Sequence, residues 1–182
     1  MQISSQQTLP ASQKNAWDAL NNIDVLKACI PGCESLTETE PGRYEVLITA
    51  AVGPVKAKFK GKLGLADMNP PESYTINFEG QGGAAGHGKG SAKVRLEETG
   101  NKQSVLHYTA EASVGGKIAQ IGQRLVDMAA QKMAAEFFEN FNRQILQLYP
   151  GAIPAEVAVA HDATPGIWTR LKNWLSALLG RV

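Results

Sequence analysis

Two cysteines, three histidines and a net charge of +1 in 182 residues argue against several chemistries at once. Near-neutrality gives no support for a nucleic-acid surface, which needs a strongly basic face. His87, His107 and His161 stand at no metal-ligand spacing from one another or from Cys29 and Cys33, so no zinc motif is present. No serine or cysteine can be matched to a base from residue order, so no catalytic triad is assigned. No run of 18 apolar residues occurs, so no bilayer-spanning helix is expected. MQISSQQTLP lacks a basic stretch followed by an apolar one, the pattern of a secretory signal. The expectation is therefore a cytoplasmic protein with reduced thiols.

Acids are also missing locally. All 17 Asp and Glu lie at or before Asp162. Residues 163–182 hold Arg170, Lys172 and Arg181 and carry +3, while the first 162 residues carry −2. What is present is an ordinary globular share of 43% apolar and 19% charged residues, enough for one domain with an appendage.

The pattern changes period twice. QISSQQTL (2–9) reads as a strand. Ser12 then caps a short helix with Ala16, Trp17, Leu20 and Ile23 on one face, and DVLKAC reads as a second helix capped by Asp24. From about 33 to 115 the period is two. In VKAKFKGKLGL (55–65), Lys56, Lys58, Lys60 and Lys62 take one face, and Val55, Phe59, Leu63 and Leu65 the other. SYTINFEG, AKVRLEE and VLHYTAEASV alternate in the same way, and EPGR, GP, NPPE and TGNKQ mark turns between them. Six or seven strands in meander order are predicted.

From 117 to 149 the period is 3.6, with Ile118, Ile121, Leu125, Met128, Met133, Phe137, Phe141, Ile145 and Leu148 in one stripe. A single helix of some 32 residues is predicted, about 48 Å long at about 1.5 Å per residue. Its stripe must bury against the inner face of the sheet. The stripe is either plain core or, where helix and sheet do not close, a ligand wall. Residues 150–166 are rich in Ala and Pro and read as a linker between a domain at 1–149 and a tail at 167–182.

Two motifs have competing readings. GAAGHGK fits GxxxxGK, but Gly90 follows it and a strand comes next, where a phosphate loop must open a helix. Its glycines are better explained by a strand that bends or leaves room beside it. Cys29 and Cys33 in CIPGC read as small apolar residues packing where a helix ends and a strand begins; a redox role stays open.

CIPGCESL (29–36), VGPVKAKFKGKL (52–63), GHGKGSAKVRL (86–96) and VGGKIAQIGQRLV (114–126), with Phe137 and Phe138, resemble the carbon monoxide dehydrogenase G-subunit family. The resemblance covers about residues 1–148. It implies an α+β helix-grip fold of the START-like superfamily, a curved antiparallel sheet around a long C-terminal helix with an apolar cavity between them. It also implies a non-catalytic accessory role beside a molybdenum hydroxylase of the carbon monoxide dehydrogenase and xanthine dehydrogenase type, with membrane recruitment and carriage of a quinone or lipid rather than a covalent cofactor. The cavity would be lined by Phe59, Leu63, Ile76, Phe78 and Tyr108 from the sheet and by Ile121, Leu125, Met128, Met133 and Phe137 from the helix. The alternatives are a tether or assembly factor with a filled core, or an enzyme, since helix-grip domains include cyclases and hydrolases.

On a helix, Ile167, Trp168, Leu171, Trp174, Leu175, Leu178 and Leu179 form one stripe, with Arg170, Lys172 and Arg181 off it. A large moment, a basic polar face and tryptophans suit a helix lying in a membrane interface. Docking on the domain or on another protein is the alternative. The expected location is thus peripheral, on the inner face of the cell membrane.

Overall fold

A computed structural model describes residues 1–100 and 102–151. Seven strands follow one another with short turns: β1 (Gln2–Leu9), β2 (Cys33–Glu40), β3 (Arg43–Val52), β4 (Val55–Asn69), β5 (Ser73–Gln81), β6 (His87–Gly100) and β7 (Gln103–Gly115). They form one antiparallel sheet in the order β1-β7-β6-β5-β4-β3-β2. The order is a meander from β2 to β7, with β1 returning to flank β7. Strands β4, β6 and β7 run 13 to 15 residues, longer than the periodic cores of their sequences, and irregular pairing carries β4 past Ala66 and β6 past Glu98.

Between β1 and β2 lie α1 (Gln13–Leu20) and α2 (Ile23–Cys29). Ser12 caps α1: its hydroxyl accepts from the Asn15 N–H at 3.3 Å. The cap of α2 is Asn22, not Asp24. The Asn22 Oδ1 accepts from the Asp24 and Val25 N–H groups at 3.0 and 3.3 Å, which places Asp24 inside the first turn. An acid there complements the helix dipole, which is why Asp24 resembles a cap in sequence.

The predicted 32-residue helix is two helices, α3 (Lys117–Gln120) and α4 (Gln123–Leu148). Gly122 separates them with φ +96°, a left-handed conformation open to glycine and costly for other residues. The 26 residues of α4 span about 39 Å. Asn140 on α4 donates through Nδ2 to the carbonyl of Cys29 at 3.1 Å, tying α4 to the end of α2.

The core is concentrated at one end. Leu9, Trp17, Leu20, Tyr74, Leu96, Leu106, Phe141 and Ile145 are buried there, where α1, α2 and the second half of α4 cover the sheet. Trp17 meets Tyr74 edge-on at 5.4 Å. We call this the turn end, because the β2–β3, β4–β5 and β6–β7 turns lie there. The opposite tip end gathers the β3–β4 hairpin tip at Gly53 and Pro54, the β5–β6 connection, α3 and the start of α4. Residues 152–182, which include the expected membrane helix and nearly all the expected linker, lie outside the described residues.

Candidate functional site

Alternation on the strands brings the five sheet residues onto one face. Leu63 pairs with Phe78, Ile76 with Ala92, Phe78 with Gly90, Phe59 with Ile48 and Tyr108 with Val94. All five are half-buried, whereas Tyr74 and Val94, further toward the turn end on the same face, are buried. The face narrows in side-chain size toward the tip end: Ala92 on β6 pairs with Ala110 on β7, and Gly90 with Ala112. Two glycines make room for two rings. A methyl group on Gly82 would strike the Phe59 ring, and one on Gly90 would come within 2.8 Å of the Phe78 ring. Both phenyl groups therefore lie down over backbone, which a sheet of larger residues would not permit.

The helix side is uneven. Phe138, Phe141 and Ile145 are buried; Met133, Phe137 and Ile121 are half-buried; Leu125 and Met128 are 40% and 55% exposed. Leu125 and Ile121 border the hairpin tip, their Cδ1 atoms 3.5 and 3.7 Å from where a methyl on Gly53 would sit. Phe138 is not among the expected wall residues, yet it contacts the sheet directly. Its ring stacks with Tyr108 at 5.5 Å and meets Phe137 edge-on at 5.2 Å, while Phe137 stacks with Phe141 at 5.8 Å. The sequence does carry a signal for it, since 138, 141 and 145 fall at i, i+3 and i+7. The break at Gly122 shifts the phase that a single continuous helix would carry.

The result is a cleft filled at the turn end and apolar but incompletely covered toward the tip end. A recess of about 1110 Å³ lies mainly on the outward face of the sheet. Its lining combines Arg43, Glu45, Lys62, Glu79, Lys89 and Glu111 with Leu63, Phe78, Gly90 and Ala112, and no residue of α4 takes part. So many charged groups suit an apolar guest less well than the inner face does.

Ionisable groups near the core are silent at neutral pH. Burial holds the Tyr74 hydroxyl far above its ordinary range and pushes the Cys29 thiol up to about 11. Burial also raises the Cys33 thiol, opposed by the charge of Lys27. Both cysteines are free thiols, at the end of α2 and the start of β2. His87 stands exposed where β6 begins. The 3-10 turn at Gly83–Ala85 leads into that strand and not into a helix, so the glycine-rich segment is no phosphate loop. Among the described residues, no three His, Cys, Asp or Glu side chains gather as a metal site, and none of the described helices is long and apolar enough to cross a membrane.

The model of the carbon monoxide dehydrogenase G-subunit family (CoxG) matches residues 6–146. Among solved structures, a conserved protein from Geobacillus kaustophilus is similar at 27% identity over 81% of this chain and 96% of that one, with a TM-score of 0.77. A START superfamily protein from Mycobacterium smegmatis aligns at 10% identity over 81% and 99%, with a TM-score of 0.64. The Zhui aromatase/cyclase from Streptomyces sp. R1128 aligns at 11% identity over 84% and 99%, with a TM-score of 0.62. The last two likenesses show a common fold and no more. No curated protein matches the chain.

Proposed function

The chain belongs to the CoxG family of carbon monoxide dehydrogenase, and on that premise we propose an accessory protein, without catalysis of its own, that takes an apolar ligand into the open half of its sheet–helix cleft. An isoprenoid quinone or a comparable lipid fits the chemistry. A flat ring has Phe59 and Phe78 to rest on, and a branched tail has the small-residue track of Ala92, Ala110 and Ala112. The observation that carries the reading is the unequal filling of one continuous apolar face, buried at Tyr74 and Val94 and half-exposed at Ile76 and Phe78 on the same face. Apolar side chains left uncovered beside a packed core are a standing cost unless a ligand or partner covers them.

The protein would serve a molybdenum hydroxylase of the carbon monoxide dehydrogenase type. The stripe of Trp168, Leu171, Trp174, Leu175 and Leu178, beside Arg170, Lys172 and Arg181, would hold it reversibly on the inner face of the cell membrane.

The test is native mass spectrometry of the full chain after mild purification, followed by titration with a short-chain quinone. A copurifying quinone or lipid near one per chain, or saturable uptake that Phe78→Trp abolishes, is the expected result. Protein that is empty in repeated preparations and takes up nothing would reject the carrier reading and leave a tether.

A further inference from the structure

Three segments that meet at the tip end contain no acid at all: 46–66, 80–96 and 112–126. Together they hold nine lysines and arginines, of which Lys93 and Arg95 lie toward the turn end, where Arg95 pairs with Glu97 at 2.6 Å. The turn end is the reverse, with Glu38, Glu40, Asp67, Glu72, Glu97 and Glu98 in or beside its three hairpin turns. The near-zero net charge therefore hides a strongly polarised domain.

The tip end is also where apolar side chains stand uncovered. Leu125 and Met128 are exposed on the first turns of α4, and Leu125 sits beside Gly53 at the hairpin tip. Lys56 stands exposed two residues beyond Pro54 at that tip, Lys117 on α3 and Arg124 next to Leu125. Among the described residues, none of these three cations is in an ion pair, whereas Lys58 nearby is held by Glu34 at 2.9 Å. Exposed leucine and methionine ringed by free cations, with Asp127 the one acid between them and Glu34 already engaged by Lys58 and Thr49, match the chemistry of a bilayer with anionic headgroups. An acidic protein surface would meet the cations equally well, but Leu125 and Met128 can enter a headgroup layer without a shape-matched apolar patch opposite them.

We propose that the tip end docks on an anionic lipid surface, as a contact separate from the C-terminal stripe. Apolar side chains there would enter the headgroup layer, and the open half of the cleft would face the hydrocarbon from which an apolar ligand comes. The orientation follows from the charge polarity, since the acidic turn end is repelled by the same surface. The last step, transfer of a ligand, rests on the carrier reading above; the docking itself does not.

The experiment uses the full chain with vesicles of phosphatidylcholine alone and with phosphatidylglycerol added. Hydrogen exchange is followed by mass spectrometry. Expected is protection of peptides covering 51–58 and 112–130 on the phosphatidylglycerol vesicles only. In a chain also carrying Trp168→Ser and Trp174→Ser, the remaining binding should fall roughly tenfold or more when Lys117→Gln and Arg124→Gln are added. Both side chains are exposed, so the unfolding midpoint should stay unchanged and report intact folding. Protection confined to residues beyond 151, or binding indifferent to the two substitutions, overturns the proposal. Tip-end protection that appears only with a purified partner enzyme also overturns it. Quinone titration of the same samples separates the two ideas: docking without uptake sinks the carrier, and uptake without docking sinks this surface.

Discussion

Tyr108 on β7 and Phe138 on α4 stack with ring centroids 5.5 Å apart and planes 29° from parallel. The pair sits at the boundary between the packed and the uncovered parts of the cleft. On one side of it lie the buried Leu106, Phe141 and Ile145; on the other lie Ile76, Phe78 and Met133, all half-buried.

That boundary sets opposite expectations for two substitutions. Phe138→Ala should lower stability by about 3–5 kcal/mol in chemical denaturation, the usual cost of deleting a buried aromatic. Phe78→Trp should change stability by less than about 1.5 kcal/mol, since its side chain is half-exposed, and should abolish quinone uptake. Equal and large losses of stability for both would show the cleft to be uniformly packed.

Gly90 is where the floor beneath Phe78 has no side chain. A methyl there meets the Phe78 ring, the Glu111 carbonyl and the Cα of Ala112. Gly90→Ala should therefore destabilise by about 1–3 kcal/mol, whereas Gly64→Ala, with open space around its position, should cost under about 1 kcal/mol. Thermal melts of the two variants compare them directly.

The cap of α2 can be tested by a pair of alanines. Asn22→Ala removes the acceptor of two N–H groups and should cost about 1 kcal/mol. Asp24→Ala removes only a charge near the helix start and should cost about 0.3–1 kcal/mol at low salt. Adding salt should shrink the Asp24 effect and leave the Asn22 effect nearly unchanged.

Cys29 predicts a pH dependence. Its folded thiol titrates at about 11, against 9.0 for a free one. Above pH 9 the unfolded chain loses this proton first, so the unfolded state binds fewer protons and stability falls as pH rises. The contribution is flat below pH 9 and declines between about 9 and 11. Cys29→Ala should remove this part of the slope in urea midpoints measured across that window. At about pH 7.5, a thiol reagent should label Cys33 faster than Cys29, because Cys29 is completely buried.

The sheet was legible because its strands alternate so regularly. Four lysines in VKAKFKGKL fix the face of β4, and the pairs Pro41–Gly42 and Gly53–Pro54 mark the turns on either side of β3. Two features were hidden for identifiable reasons. Gly122 sits between residues that keep a helical period on both sides, so its positive φ leaves no trace in the pattern. Phe137 and Phe138 are adjacent, and a period count cannot say which of two neighbouring rings reaches the sheet once the helix has been broken upstream. Tyr108 makes that choice, through a contact of high sequence separation. The charge polarity is concealed by a sum near zero, and only the pairing order assigns each acid-free segment to the same end.

Gly122 and Leu148 bracket α4, so the backbone leaves the described fold about 39 Å from the tip end, on the acidic side. If residues 150–166 form the flexible leash that their composition suggests, those 17 residues can stretch to at most about 55–60 Å, enough to run back along the flank of the domain. If the tryptophan-bearing segment and the hairpin tip hold the same bilayer, the leash must be drawn out well beyond its relaxed span of about 23 Å. Shortening it by half would then force a choice between the two footholds, leaving the domain hanging by its tail or standing on its tip.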